Sequence, residues 1–316
     1  MEKRELGRSG IFINPIVFGG NVFGWTIDEK TSFNVLDAYV DNGFDAIDTA
    51  DVYSAWAHGG VGGQSETIIG NWLKKGGKRD KVVIATKVGK PMGEGKKGLS
   101  KKYITQAVED SLKRLQTDYI DLYQSHDDDK ETPLSETLET YTDLIKQGKV
   151  RAIGASNYTG DRLKQALEIS DASGLAAYQT LQPEYNLYER QDYEADLEEV
   201  CKTYNLGVIP YFSLASGFLT GKYRSEADFK KSQRGHGIQK YLNKRGFSIL
   251  EALDEVATTY NTTQASVALA WLLARPSITA PIVSATSIAQ LQSFINATQL
   301  SFDKQTIDLL NKASEY

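Results

Sequence analysis

Short apolar runs alternate with amphipathic stretches along most of the chain. Residues 44–48, 81–87 and 118–126 are runs rich in β-branched, leucine and aromatic positions, and each leads through a loop into a segment whose apolar residues recur at helical spacing. These predict strands followed by helices over 66–74, 103–115 and 134–146. Ahead of them, residues 4–6 and 11–13, joined at Ser9-Gly10, predict a small hairpin that could plug one end of a barrel. A first strand over 15–18 stops at Gly19-Gly20, and a helix is predicted over 29–41. Further on, 149–156, 177–182, 206–211 and 278–283 read as strands, with helices over 161–170 and 193–204. Strand and helix alternating at this length build parallel sheet, since parallel neighbours need a long crossover. About eight such units, without a compositional break, predict one (β/α)8 TIM barrel domain over residues 1–316. A doubly wound open sheet is the alternative, but the G-x-G-x-x-G expected after its first strand is absent.

Three predicted connections exceed the roughly two to six residues usual between a strand and its helix. They are 50–65, glycine-rich with Trp56 and His58; 88–100, with Gly93, Gly95 and Gly98; and the basic segment 213–246. All follow strands, so these long loops gather at the carboxyl face, where a barrel carries its active site. Four residues just past apolar runs belong to the same face: Asp48 and Tyr53, Lys87, and His126. Lys87 stands 39 residues after Asp48, and His126 stands 39 after Lys87, a recurrence that brings them to one end of neighbouring strands about 4.8 Å apart.

Composition narrows the partners. The net charge of −5 gives no nucleic-acid footprint. The chain opens Met1-Glu2-Lys3-Arg4 without an apolar signal core, and no run approaches the ~18 apolar residues of a membrane span. A soluble, cytoplasmic setting is therefore expected, without membrane or nucleic-acid partners. The single Cys201 falls in a helical stretch and reads as a structural thiol. The acidic run from His126 to Asp129 reads as a solvated loop, and no metal is expected.

The four polar residues fit carbonyl reduction, which needs hydride at carbon, a proton at oxygen and stabilisation of the developing alkoxide. Nicotinamide can supply the hydride. Tyr53 is the natural proton donor, but a phenol with a pKa of about 10 is a reluctant acid near neutrality. Lys87 beside it is expected to pull that pKa down, with Asp48 keeping Lys87 charged and His126 orienting the carbonyl oxygen. Trp25, Trp56 and Tyr158, in carboxyl-side loops, are expected to wall the substrate site.

The segment from Gly43 through Asp48 and Tyr53, with Glu66 beyond it, resembles the signature of the aldo-keto reductases. The resemblance continues through Ala85-Thr-Lys87, Asp121 to His126, Gly148 to Asn157, Gln182-Pro-Glu-Tyr-Asn and Tyr211 to Lys222, in the family's order and over nearly the whole chain. It implies a (β/α)8 barrel, an extended nicotinamide cofactor, reduction of aldehydes or ketones, and the same four catalytic residues. Ser156, Asn157 and Gln182 then match ligands of the nicotinamide carboxamide, and Tyr211 would stack on its ring. Ser213, Leu214, Gly217, Leu219, Gly221 and Lys222 would follow the pyrophosphate. The adenine end departs from the pattern: where relatives place a cation within 284–287 and an asparagine at the position of Phe294, this chain offers Thr286 and Gln290. Arg234 is the candidate replacement for a 2′-phosphate partner. NADPH is the donor the resemblance favours, with NADH the alternative. The motif layout also resembles potassium-channel β-subunits of the family, which leaves a cofactor-sensing binding subunit as the second reading. A small carbonyl substrate is expected as partner, and a protein partner is not.

Overall fold

The computed structural model describes the backbone of residues 1–316 and every side chain except that of His236. Strands β1 (Arg4–Glu5) and β2 (Phe12–Ile13) pair antiparallel as the predicted hairpin. The parallel strands follow: β3 (Val17–Gly19), β4 (Ala46–Asp48), β5 (Val83–Val88), β6 (Ile120–Ser125), β7 (Val150–Ser156), β8 (Thr180–Gln182), β9 (Gly207–Val208) and β10 (Ile282–Val283). They lie in the order β10-β3-β4-β5-β6-β7-β8-β9. The two ends of this row meet, because the Thr279 N–H donates to Val208 O and the Ile282 N–H to Pro210 O, both at 2.8 Å. Among the described residues the sheet is thus an eight-stranded parallel (β/α)8 barrel.

Outside it lie α1 (Glu29–Asp41), α2 (Gln64–Gly76), α3 (Lys101–Leu115), α4 (Leu134–Lys146), α5 (Gly160–Ser173) and α6 (Glu198–Tyr204), which continues a wider π turn at Tyr193–Leu197. Each helix buries one stripe. In α3 this is Ile104, Ala107, Val108, Ser111, Leu112 and Leu115, at steps of three and four, and Ser100 caps its start by accepting the Tyr103 N–H. Four more helices, α7 (Lys244–Thr259), α8 (Gln264–Leu273), α9 (Ile288–Gln299) and α10 (Lys304–Ala313), complete the chain. Among the described residues, no helix is long and apolar enough to cross a membrane.

Two apolar layers result from the period-two alternation of the strands. The large one fills the space between sheet and helices, with Phe18, Ile47, Ile84, Tyr123 and Ile153 pointing outward into it. The small one lies inside the barrel, where Val17, Ala46, Ala85, Leu122, Ala152 and Ile282 meet Leu6, Ile11 and Ile13 of the hairpin. The hairpin thus plugs the amino-terminal end. Two residues further along the same inward positions come Asp48, Lys87 and Gln124, so the apolar floor and the polar ceiling are consecutive layers of one interior. Gly154 keeps that ceiling packed, because a Cβ there would lie 2.2 Å from Thr180 Oγ1 and 3.1 Å from Gln124 Cγ.

Strand lengths differ from the sequence reading at the seventh and eighth positions. The run 206–211 yields only Gly207–Val208, after which Tyr211 touches Glu184 through an isolated bridge. The run 278–283 yields Ile282–Val283, because Pro281 has no N–H to donate. The long segment after Ser213 contains short helical turns at Ala215–Thr220, Glu226–Lys231 and Gly235–Tyr241.

Candidate active site

At the centre of the carboxyl face stands a fully buried ion pair, Lys87 Nζ to Asp48 Oδ2 at 2.6 Å. Lys87 Nζ also donates to Thr49 O at 2.8 Å and to the Tyr53 hydroxyl at 2.8 Å, while that hydroxyl lies 3.4 Å from Asp48 Oδ2. The second carboxylate oxygen, Asp48 Oδ1, accepts from Gln124 Nε2 at 3.1 Å and from Gln182 Nε2 at 2.9 Å. Sequence reasoning left Gln124 unassigned and gave Gln182 to a carboxamide. The period of two marks both, since Gln124 lies two residues beyond Leu122 on β6 and Gln182 two beyond Thr180 on β8. Their amides fix the carboxylate so that its other oxygen faces Lys87.

Burial decides the protonation states. It holds the Tyr53 phenol well above its ordinary pKa, and the neighbouring Asp48 carboxylate adds to the shift. The lowering of this pKa expected from Lys87 is not the net direction: burial, which a sequence does not display, and the Asp48 carboxylate raise it. Burial also lowers the pKa of Lys87 against the opposing effect of Asp48. Tyr53 consequently keeps its proton at neutral pH, and the ammonium beside it is placed to stabilise the phenolate left when that proton is given away. His126 is pushed well below the usual imidazole pKa by burial, then by Lys87 and Lys90, so it is neutral. Its Nδ1 is buried without a partner among the described residues, and its ring stands edge-on to Tyr53 at 5.9 Å.

Tyr53 and His126 open onto a cavity of about 1130 Å³. Trp25 and Trp56 form part of its wall, edge-on to one another at 5.8 Å, with Trp56 edge-on to Tyr53 at the same distance. Ser156, Asn157, Gln182, Tyr211, Ser213, Leu214, Gly217, Lys222, Arg234, Thr286 and Gln290 also line it. Asn157, in the left-handed region at φ 57°, donates to His126 O and accepts from the Tyr211 hydroxyl at 2.9 Å. Three expected residues lie elsewhere. Tyr158 is buried behind the wall, its hydroxyl 3.1 Å from that of Tyr178. Leu219 is in the core, and Gly221 packs so tightly on Gln264 that a Cβ would overlap its amide oxygen. The sequence reading missed Asn21, Lys90, Thr263 and Ser284, which also face the cavity. Asn21 follows the Gly19-Gly20 strand end, a signal that pointed to it.

The Aldo/keto reductase family model matches residues 15–315. The chain belongs to the aldo/keto reductase family. An uncharacterized oxidoreductase of Bacillus subtilis strain 168, YrpG, is 37% identical over 98% of this chain and 95% of its own. The aldo-keto reductase YhdN of the same strain is 36% identical over 94% of this chain and 89% of its own. A probable voltage-gated potassium channel subunit beta of Arabidopsis thaliana is 30% identical over 95% and 92% respectively. The protein is thus an oxidoreductase of this family. Among the described residues, no group of three or more His, Cys, Asp or Glu side chains is placed to hold a metal ion.

One further carboxylate of this oxidoreductase lies behind the site. Asp51 is buried with both oxygens lacking a hydrogen-bond partner among the described residues, and burial followed by the charge of Glu66 raises its pKa to about 8. In the folded chain it holds a proton that the unfolded chain loses near the ordinary carboxylate value of 3.8, so its contribution makes stability fall as pH rises between those values. Asp51→Asn is expected to remove that fall. The variant should unfold at nearly the parental temperature at pH 4 and be more stable at pH 8, by an amount that grows with pH up to the linkage limit of about 1.4 kcal/mol per pH unit between the two values. Thermal unfolding at the two pH values checks this, and parallel pH profiles for parent and variant would contradict it.

Proposed function

We propose that the protein reduces an aldehyde or ketone to the alcohol, with NADPH as the donor, Tyr53 as general acid, and Lys87, Asp48 and His126 as its partners. The observation that carries this reading is the Tyr53 hydroxyl, in the wall of the cavity and 2.8 Å from the ammonium of a buried ion pair. A phenol so placed is protonated before the reaction and has a cation in contact to stabilise the phenolate afterwards. Neutral His126 can donate a hydrogen bond to the carbonyl oxygen and fix which face it presents.

The residues present fit a dinucleotide. The cavity exceeds the ~300–1,000 Å³ of an ordinary small-molecule site, so it has room for cofactor and substrate together. Ser156, Asn157 and Gln182 would hold the carboxamide and Tyr211 the ring face. Ser213, Leu214, Gly217 and Lys222 would follow the pyrophosphate, and backbone in the left-handed region at Ala215, Ser216 and Gly217 lets that loop turn tightly around it. Thr286 and Gln290 would meet the adenosine end. Bound there, the reduced nicotinamide supplies the hydride.

A panel of aldehydes and ketones assayed with NADPH and NADH tests the reading. The expected result is oxidation of reduced nicotinamide in equal amount to alcohol formed by the isolated chain. Tight nucleotide binding without turnover would instead support the cofactor-sensing subunit suggested by the potassium-channel relative. Failure to bind either nucleotide would overturn both.

A further inference from the structure

The closed order of the barrel divides the cavity wall in two. The residues assigned above to the nucleotide follow β7, β8, β9 and β10, from Ser156 and Asn157 round to Thr286 and Gln290. Trp25, Tyr53, Lys90 and the His126-Asp127 pair follow β3, β4, β5 and β6. In the ring β10-β3-β4-β5-β6-β7-β8-β9, β5 stands four places from β9 and β6 four places from β10. Four places is half the circumference of an eight-stranded barrel, so Lys90 and Asp127 face the pyrophosphate and adenosine elements from the opposite side. They belong to the substrate half of the cavity, away from the cofactor's phosphates.

The wall of that half has two characters. Trp25 and Trp56 present aromatic rings, whereas Lys90 and Asp127 present an ammonium and a carboxylate beside His126. Asp127 is held in place, because Asn157 Nδ2 donates to its Oδ1 at 2.9 Å and to the backbone carbonyl of His126 at 2.8 Å. One amide thus fixes the carboxylate relative to His126. The other carboxylate oxygen, Oδ2, lies 3.5 Å from Lys90 Nζ, with both side chains partly exposed. A charge-assisted N–H···O bond closes to about 2.7–2.9 Å, so the two groups stand apart rather than satisfy one another. Their charges cancel, and the pair therefore selects neither an anion nor a cation. A hydroxyl serves both members at once, donating to the carboxylate and accepting from the ammonium. An alkyl group in the same place would strip water from two charges and return no hydrogen bond. A site that hydrogen-bonds a substrate hydroxyl rejects the analogue lacking it far more strongly than an apolar pocket rejects a methylene.

We propose, on the strength of the reductase reading above, that Asp127 and Lys90 set substrate specificity by gripping a hydroxyl on the carbon beside the carbonyl, so that α-hydroxycarbonyl compounds are reduced in preference to their alkyl counterparts. The hydroxyl enters between Oδ2 and Nζ, the carbonyl oxygen meets Tyr53 and His126, and the carbon body rests on the Trp25 and Trp56 side. Hydride from the reduced nicotinamide goes to the carbonyl carbon and the Tyr53 proton to its oxygen. The products are a vicinal diol and the oxidised nucleotide, and the gripped hydroxyl is unchanged.

Two isosteric pairs of ketones test this: hydroxyacetone against butan-2-one, and 2-hydroxy-1-phenylethanone against 1-phenylpropan-1-one. In the parent protein, kcat/KM is expected to favour the hydroxylated member of each pair by about 10-fold or more. Part of that preference is inductive activation of the carbonyl, which no substitution in the protein alters, so the variants decide. Asp127→Leu should lower the hydroxyl-to-alkyl ratio about 10-fold or more, chiefly through KM, and Lys90→Met should lower it less. Asp127→Asn, which keeps an acceptor oxygen, should fall between Asp127→Leu and the parent. A ratio that neither Asp127→Leu nor Lys90→Met moves would overturn the proposal, as would a parent that favours the alkyl member of both pairs. If Asp127→Leu keeps the ratio while its Kd for NADPH rises, Asp127 acts on the cofactor through Asn157 instead. Saturation-transfer NMR of the protein with NADP⁺ and the product alcohols, 1-phenylethane-1,2-diol and 1-phenylpropan-1-ol, reads binding without turnover. Failure to reduce any aldehyde or ketone is a failure of the reductase reading. Equal affinity for these two alcohols sinks the hydroxyl proposal separately, whether or not a ketone is turned over.

Discussion

Tyr53→Phe is expected to bind NADPH with nearly parental affinity and to lose turnover by the roughly 10²–10⁴-fold typical of a removed general acid, or more. The ring contacts with Trp56 and His126 survive the change. What disappears is the hydroxyl that Lys87 contacts at 2.8 Å, a phenol in the cavity wall with a cation against its oxygen. Steady-state kinetics beside a cofactor titration measures both quantities. A variant with more than about half the parental kcat would remove Tyr53 from the mechanism.

Lys87→Met should slow the chemistry on a comparable scale, and it should also weaken the fold. The ammonium is the closest cation to the phenolate that forms, so its loss raises the energy of the state in which Tyr53 has given up its proton. The Asp48 carboxylate, meanwhile, would remain buried without a cation, its partners the amides of Gln124 and Gln182 and the more distant Tyr53 hydroxyl. Removing one member of a buried pair typically costs about 3–5 kcal/mol. Adding Asp48→Asn to Lys87→Met removes the stranded charge, so the double variant should regain most of the lost stability without regaining activity. Urea unfolding and kcat on the three proteins separate the two effects. Recovery of activity along with stability would show that the pair only supports the barrel.

Much of this site was legible before the structure because of how a barrel is built. A strand that ends in a polar residue must deliver it to the carboxyl face, so Asp48, Lys87 and His126 could be placed together from their positions after apolar runs. The same alternation held Gln124 and Gln182 under Asp48, but a glutamine in an apolar run carries no sign of which neighbour it will meet. Tyr158 illustrates the limit for loops. Ser156 ends β7 inside the barrel, Asn157 turns through a left-handed conformation, and the next side chain is directed back towards Tyr178 rather than into the cavity. Only the packing of Tyr178 and Tyr141 around Ser125 reveals that pocket. The sign of the Tyr53 shift was hidden for a related reason. The sequence shows which charges can approach a phenol, whereas the extent of burial emerges only once the helices and long loops have closed around it. The weak seventh and eighth strands came out short where proline and the turn at Tyr211 interrupt pairing, while the hairpin plug was readable because Leu6 on one side and the apolar run 11–13 on the other flank Ser9-Gly10.

The central claim is that hydride passes from a reduced nicotinamide to a carbonyl carbon in the cavity bounded by Tyr53 and His126. Reduction of hydroxyacetone or 2-hydroxy-1-phenylethanone with NADPH doubly deuterated at C4 tests it directly. The alcohol should carry one deuterium on the former carbonyl carbon, formed in equal amount to NADP⁺, and Tyr53→Phe should suppress both products together. An alcohol free of deuterium, or ketone and NADPH left unconsumed by the intact protein, would contradict the account.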